Sequence, residues 1–194
     1  MKRQLLTFFF LAFFANAPLA NAQSTWVEAA QHPSFGIERA ISFEIDGIVY
    51  VGCGREASAF NASSVWAYDI AAGGWIPKSN FPGIPRRNAF AFTANGYGYM
   101  GAGHDLVYPL SDFWRYDPSN DTWTQLADFP GGVRSHALGL SNGNKGYVAV
   151  GRTSDSDGYY NDLWEFDATT ETWAEIATFE GGDRWRTCGW IIDQ

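Results

Sequence analysis

Apolar and polar residues alternate along this chain in short runs. Ala89-Phe90-Ala91-Phe92 and Ala137-Leu138-Gly139-Leu140 are typical. Such runs fit half-buried antiparallel strands. Each is followed by a turn signal, at Asp46-Gly47, Asn95-Gly96 and Asn142-Gly143-Asn144-Lys145-Gly146. Asn-Gly and Asp-Gly supply the positive φ that tight hairpins need. A second strand then ends at Tyr50-Val51-Gly52-Cys53-Gly54, Tyr99-Met100-Gly101-Ala102-Gly103 or Val148-Ala149-Val150-Gly151. A third carries Trp66-Ala67-Tyr68-Asp69, Trp114-Arg115-Tyr116-Asp117 or Trp164-Glu165-Phe166-Asp167. Turn-rich links follow it. A fourth strand opens at Trp75, Thr122-Trp123 or Thr172-Trp173.

These runs are one pattern repeated. Trp26, Trp75, Trp123 and Trp173 stand 49, 48 and 50 residues apart, and Trp66, Trp114 and Trp164 stand 48 and 50 apart. A further series reads Phe81-Pro82-Gly83-Ile84-Pro85-Arg86, Phe129-Pro130-Gly131-Gly132-Val133-Arg134 and Phe179-Glu180-Gly181-Gly182-Asp183-Arg184. Four strands every ~50 residues are the signature of a β-propeller blade. The glycine series, the aromatic pair at Trp114 and Tyr116 and the Trp series resemble the kelch-repeat family. The resemblance implies an all-β, kelch-type propeller of four-stranded antiparallel blades, with about 3.5 blades present. Full blades are expected at about 33–77, 81–126 and 129–176, with a partial one over 179–194. Trp26 matches a fourth strand of a terminal blade, and Arg184–Asp193 matches a first strand. Two readings fit: a chain that is incomplete at its C-terminus, or a short protein that oligomerises to cover its open edges. The first is preferred, because strands one and four are not neighbours in a blade.

The 194 residues include 21 acidic and 13 basic ones, a formal net charge of −8. Aromatics make up 17% and charged residues only 18%, which excludes a disordered chain. The acidic balance argues against nucleic acid as a partner. Lys2 and Arg3, the apolar run Leu5 to Phe14 and Ala20-Asn21-Ala22 read as a secretory signal peptide over residues 1–22. The mature protein, 23–194, is therefore expected to be exported, periplasmic or extracellular, with no membrane span after cleavage.

In such a blade the links from strand four to one and from two to three share one end. That end collects Arg86, Arg87, Arg134, His136, Arg184, Trp185 and Arg186, together with Arg55, His104, Asp105, Tyr108, Arg152, Asp155, Asp157, Tyr159 and Tyr160. Binding residues favour loops on a rigid scaffold. Guanidinium forks read carboxylates, and rings stack on sugars. Arg86, Arg134 and Arg184 recur at one repeat position, so a structural role, bonding to carbonyls of the neighbouring blade, competes with a ligand role there. The first repeat departs, with Ile37 at that position and Arg39 two residues on. The candidate ligand-binding set is Arg55, His104, Arg134, His136, Arg152, Tyr159, Tyr160 and Arg186. His136 aligns with Asn88 and Arg186, a position that varies between blades.

Catalytic motifs are scarce. His32, His104 and His136 lie in three repeats without metal-ligand spacing, so no metal and no cofactor are expected. Asp155-Ser156-Asp157-Gly158 resembles part of a calcium loop but lacks the first ligand and the closing Glu, as a solvated turn would. Cys53 and Cys188 fall at small, core-type repeat positions and are expected to be buried and unpaired. Galactose oxidase has a similar propeller, yet none of its copper ligands maps onto this chain. The resemblance is specific for fold and nearly silent on function, and the preferred reading is an exported binding module for a carbohydrate or protein ligand. The alternative is a mutarotase- or epimerase-like enzyme acting on an acidic sugar such as a sialic acid, since exported sialic-acid mutarotases are kelch propellers with an Arg-rich face.

Overall fold

The computed structural model describes residues 28–34, 36–57, 60–153 and 158–192. The signal segment, Trp26, Asp155 and Asp157 lie outside the described residues. Twelve strands form three four-stranded antiparallel sheets, each in sequential order. The first holds β1 (Ile41–Ile45), β2 (Ile48–Gly52), β3 (Val65–Asp69) and β4 (Gly74–Lys78). The second holds β5 (Phe90–Ala94), β6 (Tyr97–Gly101), β7 (Phe113–Asp117) and β8 (Thr122–Gln125). The third holds β9 (Leu138–Asn142), β10 (Lys145–Arg152), β11 (Tyr159–Asp167) and β12 (Thr172–Thr178). These are three kelch-type blades, and they do not close a ring. No helix among the described residues is long and apolar enough to cross a membrane.

Local chemistry sets the strand ends. Asp46-Gly47 and Asn95-Gly96 have φ of 50° and 81°, and of 50° and 77°, the paired positive values of a hairpin turn that matches strand twist. The Asp closing each third strand turns the chain again. Asp69, Asp117 and Asp167 accept bonds from Ala71 N (2.8 Å), Ser119 N (2.9 Å) and Thr169 N (2.8 Å).

The blades pack through their inner strands. β1 lies against β5 and β6, and β5 against β9 and β10. An aromatic knob from one blade fills a glycine hole in the next. Phe43 covers Gly98, and Phe92 covers Gly146, so a Cβ at either glycine would run into the ring. Between the first two sheets the buried layer contains Phe43, Tyr50, Phe81, Met100 and Tyr116; between the last two it contains Phe90, Tyr99, Phe113, Phe129 and Phe166. The repeated Trp joins these layers. Trp173 sits 4.8 Å from Phe129 and 4.9 Å from Phe166, and Trp123 sits 5.0 Å from Tyr116. Each large side chain buried this way stabilises the fold by roughly 1.5–3 kcal/mol.

Two expectations need correcting. Cys53 is buried and free, its sulfur 3.9 Å from that of Met100, but Cys188 is exposed. The segment after Arg184 matches a first strand in sequence, yet it forms no strand through residue 192. Among the described residues no strand pairs with it, and Cys188 stands exposed.

Candidate functional site

The two classes of link meet at one end of the blades through their backbones. Short antiparallel bridges join Glu38 to Arg55, Arg87 to His104, Ser135 to Arg152 and Tyr160 to Arg184. The glycine series allows this approach. Gly54, Gly103 and Gly151 all have positive φ, and a Cβ at Gly54 would meet the Glu38 carbonyl and the Ala40 backbone. Their amides reach into the next repeat: Gly54 N, Gly103 N and Gly151 N donate to the carbonyls of Arg86 (2.7 Å), Arg134 (2.8 Å) and Arg184 (2.9 Å).

The side chains of Arg86 and Arg134 do something else. Arg86 is 0% exposed and grips both oxygens of Asp112, and it also donates to Ala102 O at 3.0 Å. Arg134, also 0% exposed, grips both oxygens of Asp162 at 2.7 Å and donates to Val150 O at 3.0 Å. The same carboxylates accept the indole N–H of Trp114 (2.7 Å) and Trp164 (2.8 Å). The partners lie within the arginine's own blade, where the sequence pointed to neighbouring-blade carbonyls. Each arginine is therefore a staple between the incoming link and the start of the third strand. The first blade has Ile37 and Ser64 at the corresponding positions, and there Trp66 Nε1 and Ser64 Oγ are buried without partners.

Arg134 thus lies beneath the surface rather than on it. Tyr160 belongs with it: its ring lies 3.7 Å from the Arg134 guanidinium, and its hydroxyl donates to Val133 O at 3.2 Å. Arg55 stands at the first blade and pairs with Glu38 at 3.4 Å. His104 is buried, with Nδ1 donating to the Asp105 carbonyl at 2.7 Å.

The remaining candidates converge. A ladder of amides links the innermost residues of successive repeats. Asn88 N donates to Arg39 O (3.0 Å), His136 N to Asn88 O (2.9 Å) and Arg186 N to His136 O (3.3 Å). All four residues are held at φ between 53° and 59°. Non-glycine residues are uncommon in that region, and Asn and His tolerate it best. At the third repeat the ladder gathers side chains around Trp185. The guanidinium carbons of Arg152 and Arg186 each lie 4.4 Å from the Trp185 ring, the His136 ring lies edge-on at 5.2 Å, and Tyr159 lies at 6.2 Å.

His136 is only 9% exposed. Its Nδ1 is 3.0 Å from Ser135 Oγ, and its Nε2 has no partner. Burial, then the positive charges of Arg152, Arg186, Arg39 and His104, push its pKa down to about 4, so the imidazole is neutral at neutral pH. The structure thus brings together His136, Arg152, Tyr159 and Arg186, with Arg39 adding positive charge that bears on His136. Trp185, the hub, stands where the other repeats carry Glu38, Arg87 and Ser135, so the sequence placed it at this end but did not single it out. Arg39 was visible only as a displaced arginine.

Among the described residues no group of three or more His, Cys, Asp or Glu could hold a metal ion. An apolar cavity of about 390 Å³ lies elsewhere, on the free face of the third sheet, and is lined by Leu138, Ala149, Leu163, Phe179 and Cys188 among others. Its polar lining is Asp162, already engaged by Arg134 and Trp164, with Thr178, Arg184 and Thr187, and none of the residues gathered at Trp185 reaches it.

Sequential four-stranded blades, glycine-opened links and a shared loop end define a β-propeller of the kelch kind. Comparison with known proteins agrees: residues 23–189 match the family model described as the KLHDC2/KLHL20/DRC7 Kelch-repeats domain, and the chain belongs to the kelch-repeat family. The solved structure of YjhT has the same fold, with a TM-score of 0.70 at 18% identity, covering 82% of this chain and 57% of that one. The chain therefore spans a little over half the length of YjhT. No curated protein sequence matches it.

Proposed function

We propose that this protein is an exported kelch-type binding module, whose carbohydrate or protein ligand seats at the loop end around Trp185. One observation carries the reading. His136, Arg152, Tyr159 and Arg186, from three links of the chain, converge on a single indole at the inner end of the blades. A rigid scaffold presenting charged and aromatic groups at one place is how loop-borne binding sites are built. The basic start, apolar run and Ala-Asn-Ala ending of residues 1–22 support export to the periplasm or the exterior.

The test is titration of the full chain with neutral and acidic glycans, read by tryptophan fluorescence and calorimetry. Binding that weakens at least about tenfold in Trp185→Ala, a loss of ~1.4 kcal/mol, supports the site. Glycan binding untouched by that substitution places the ligand elsewhere and ends the reading. The two guanidinium groups also favour a second reading, a mutarotase-like activity on an acidic sugar. NMR of anomeric exchange separates the two: accelerated exchange identifies an enzyme, and binding with unchanged exchange identifies a binding module.

A further inference from the structure

We propose that the outer loop surface between the first and second blades is a docking site for an extended protein segment that carries an apolar side chain near a basic one. This surface shares no residue with the group around Trp185, and the inference does not depend on a ligand there.

Three observations carry it. First, apolar side chains from three links stand around one cleft of about 360 Å³: Phe60 from the β2–β3 link, Ile84 from the β4–β5 link, and Leu106 and Val107 from the β6–β7 link. All four are between 52% and 67% exposed. Single exposed apolar residues are ordinary on a protein surface, whereas a contiguous group marks an interaction site. Ile84 also walls a second cleft, of about 720 Å³, bounded by Pro109, Trp114 and Val133 among others. Two clefts on either side of one side chain make a linear footprint. That suits an extended segment, whose alternate side chains point the same way.

Second, the surface is held in place before anything binds. Asn61 donates to the carbonyls of Pro85 and His104, each at 3.2 Å, and accepts from Arg87 at 3.2 Å, so one side-chain amide ties the three links together. Asp105 accepts from the amides of Val107 and Tyr108, the latter at 2.6 Å, and fixes the turn that displays Leu106 and Val107. A preorganised surface loses little freedom on binding. The third blade differs: Tyr160 stands at the repeat position of Leu110, and its hydroxyl lies on its own link, at Val133 O. The shorter Leu110 leaves the second blade's cleft open.

Third, the charged residues lining the two clefts, among those described, are all aspartates: Asp105, Asp112 and Asp128. Arg86 balances Asp112 from within the blade. Asp105 is held by backbone amides, and exposed Asp128 accepts the Ser111 hydroxyl at 3.0 Å. Such neutral donors leave the negative charge in place, and a cation on the partner complements it. The same aspartates repel anionic lipid headgroups, which favours a protein segment over a bilayer.

The experiment follows the fluorescence anisotropy of labelled peptides on the full chain. The probes are serine hexapeptides with one leucine and an arginine two or four residues after it, positions that share a face when extended. Controls replace the leucine by serine or the arginine by glutamate. Each control is expected to bind at least about tenfold more weakly, and the arginine preference should shrink at high salt. Ile84→Ser should weaken the leucine–arginine probes about tenfold or more, and Asp128→Asn should narrow the preference for arginine over glutamate. Both side chains are exposed, so the core stays intact, and an unchanged near-ultraviolet dichroism spectrum checks this. Failure of every probe to bind overturns the site, as does binding indifferent to Ile84→Ser. Binding lost in Trp185→Ala but kept in Ile84→Ser places the segment at the other surface and also overturns it. Equal binding of arginine and glutamate probes overturns the basic partner. Sedimentation with phosphatidylcholine or phosphatidylglycerol vesicles that Ile84→Ser abolishes, with no peptide bound, replaces the protein segment by a membrane.

Discussion

Asp162→Asn should be among the most destabilising single-atom changes in this protein. Asp162 faces an arginine that is 0% exposed, and it meets both terminal nitrogens at 2.7 Å while also accepting the Trp164 indole at 2.8 Å. The asparagine keeps one acceptor oxygen but removes the countercharge. No water reaches Arg134 to replace it. Breaking a buried pair from one side costs about 3–5 kcal/mol, a large share of the ~5–15 kcal/mol that holds a typical domain together. The double variant Arg134→Ile, Asp162→Ser restores the combination that the first blade carries naturally as Ile37 and Ser64. It removes both charges together and leaves only neutral orphans, as at Trp66 Nε1. Its loss should fall short of the sum of the single losses by about 2–3 kcal/mol. Urea unfolding followed by tryptophan fluorescence measures all four corners of the cycle, with constant m-values as the check on comparability. A loss below ~1 kcal/mol for Asp162→Asn, or strict additivity in the double variant, refutes the staple.

Two other outcomes follow from burial. The folded-state pKa of His136, about 4, lies below its ordinary 6.5, so the unfolded chain takes the proton first. The stability this group secures is fully present above pH 6.5 and is lost as pH falls toward 4, by at most ~3 kcal/mol at 1.36 kcal/mol per unit. Urea midpoints of the wild type should fall faster over that window than those of His136→Gln, and parallel curves would disprove the neutral imidazole. The Cys53 thiol, pushed up to about 12 by burial, should resist a disulfide reagent, while exposed Cys188 reacts. One thiol per native chain and two after unfolding is the expected titration; two in the native state would contradict the packing at Met100.

Much of the fold was legible because it depends on near neighbours in the chain. Alternating Phe90 and Phe92, the Asn95-Gly96 turn and the Asp after each third-strand aromatic act within a few residues, and their ~50-residue recurrence announces the blade. The staple was half legible. Arginine and aspartate appear together in the second and third repeats and are missing together from the first, but nothing local says that Asp162 rather than a carbonyl of the next blade receives Arg134. The site was least legible. Eight residues were candidates by loop position, and only their contacts separated Arg134 and Tyr160, which serve the scaffold, from His136, Arg152, Tyr159 and Arg186, which meet at Trp185. That meeting depends on how closely one blade approaches the next, which glycines such as Gly139, against the Ala91 backbone, and Gly146, beneath Phe92, permit. Local pattern therefore determined the strands and turns, because short-range sterics and alternation suffice for them. Only the packing of blade on blade decided which side chains are staples, which are exposed and which share a site, because those contacts join residues that chain order keeps apart.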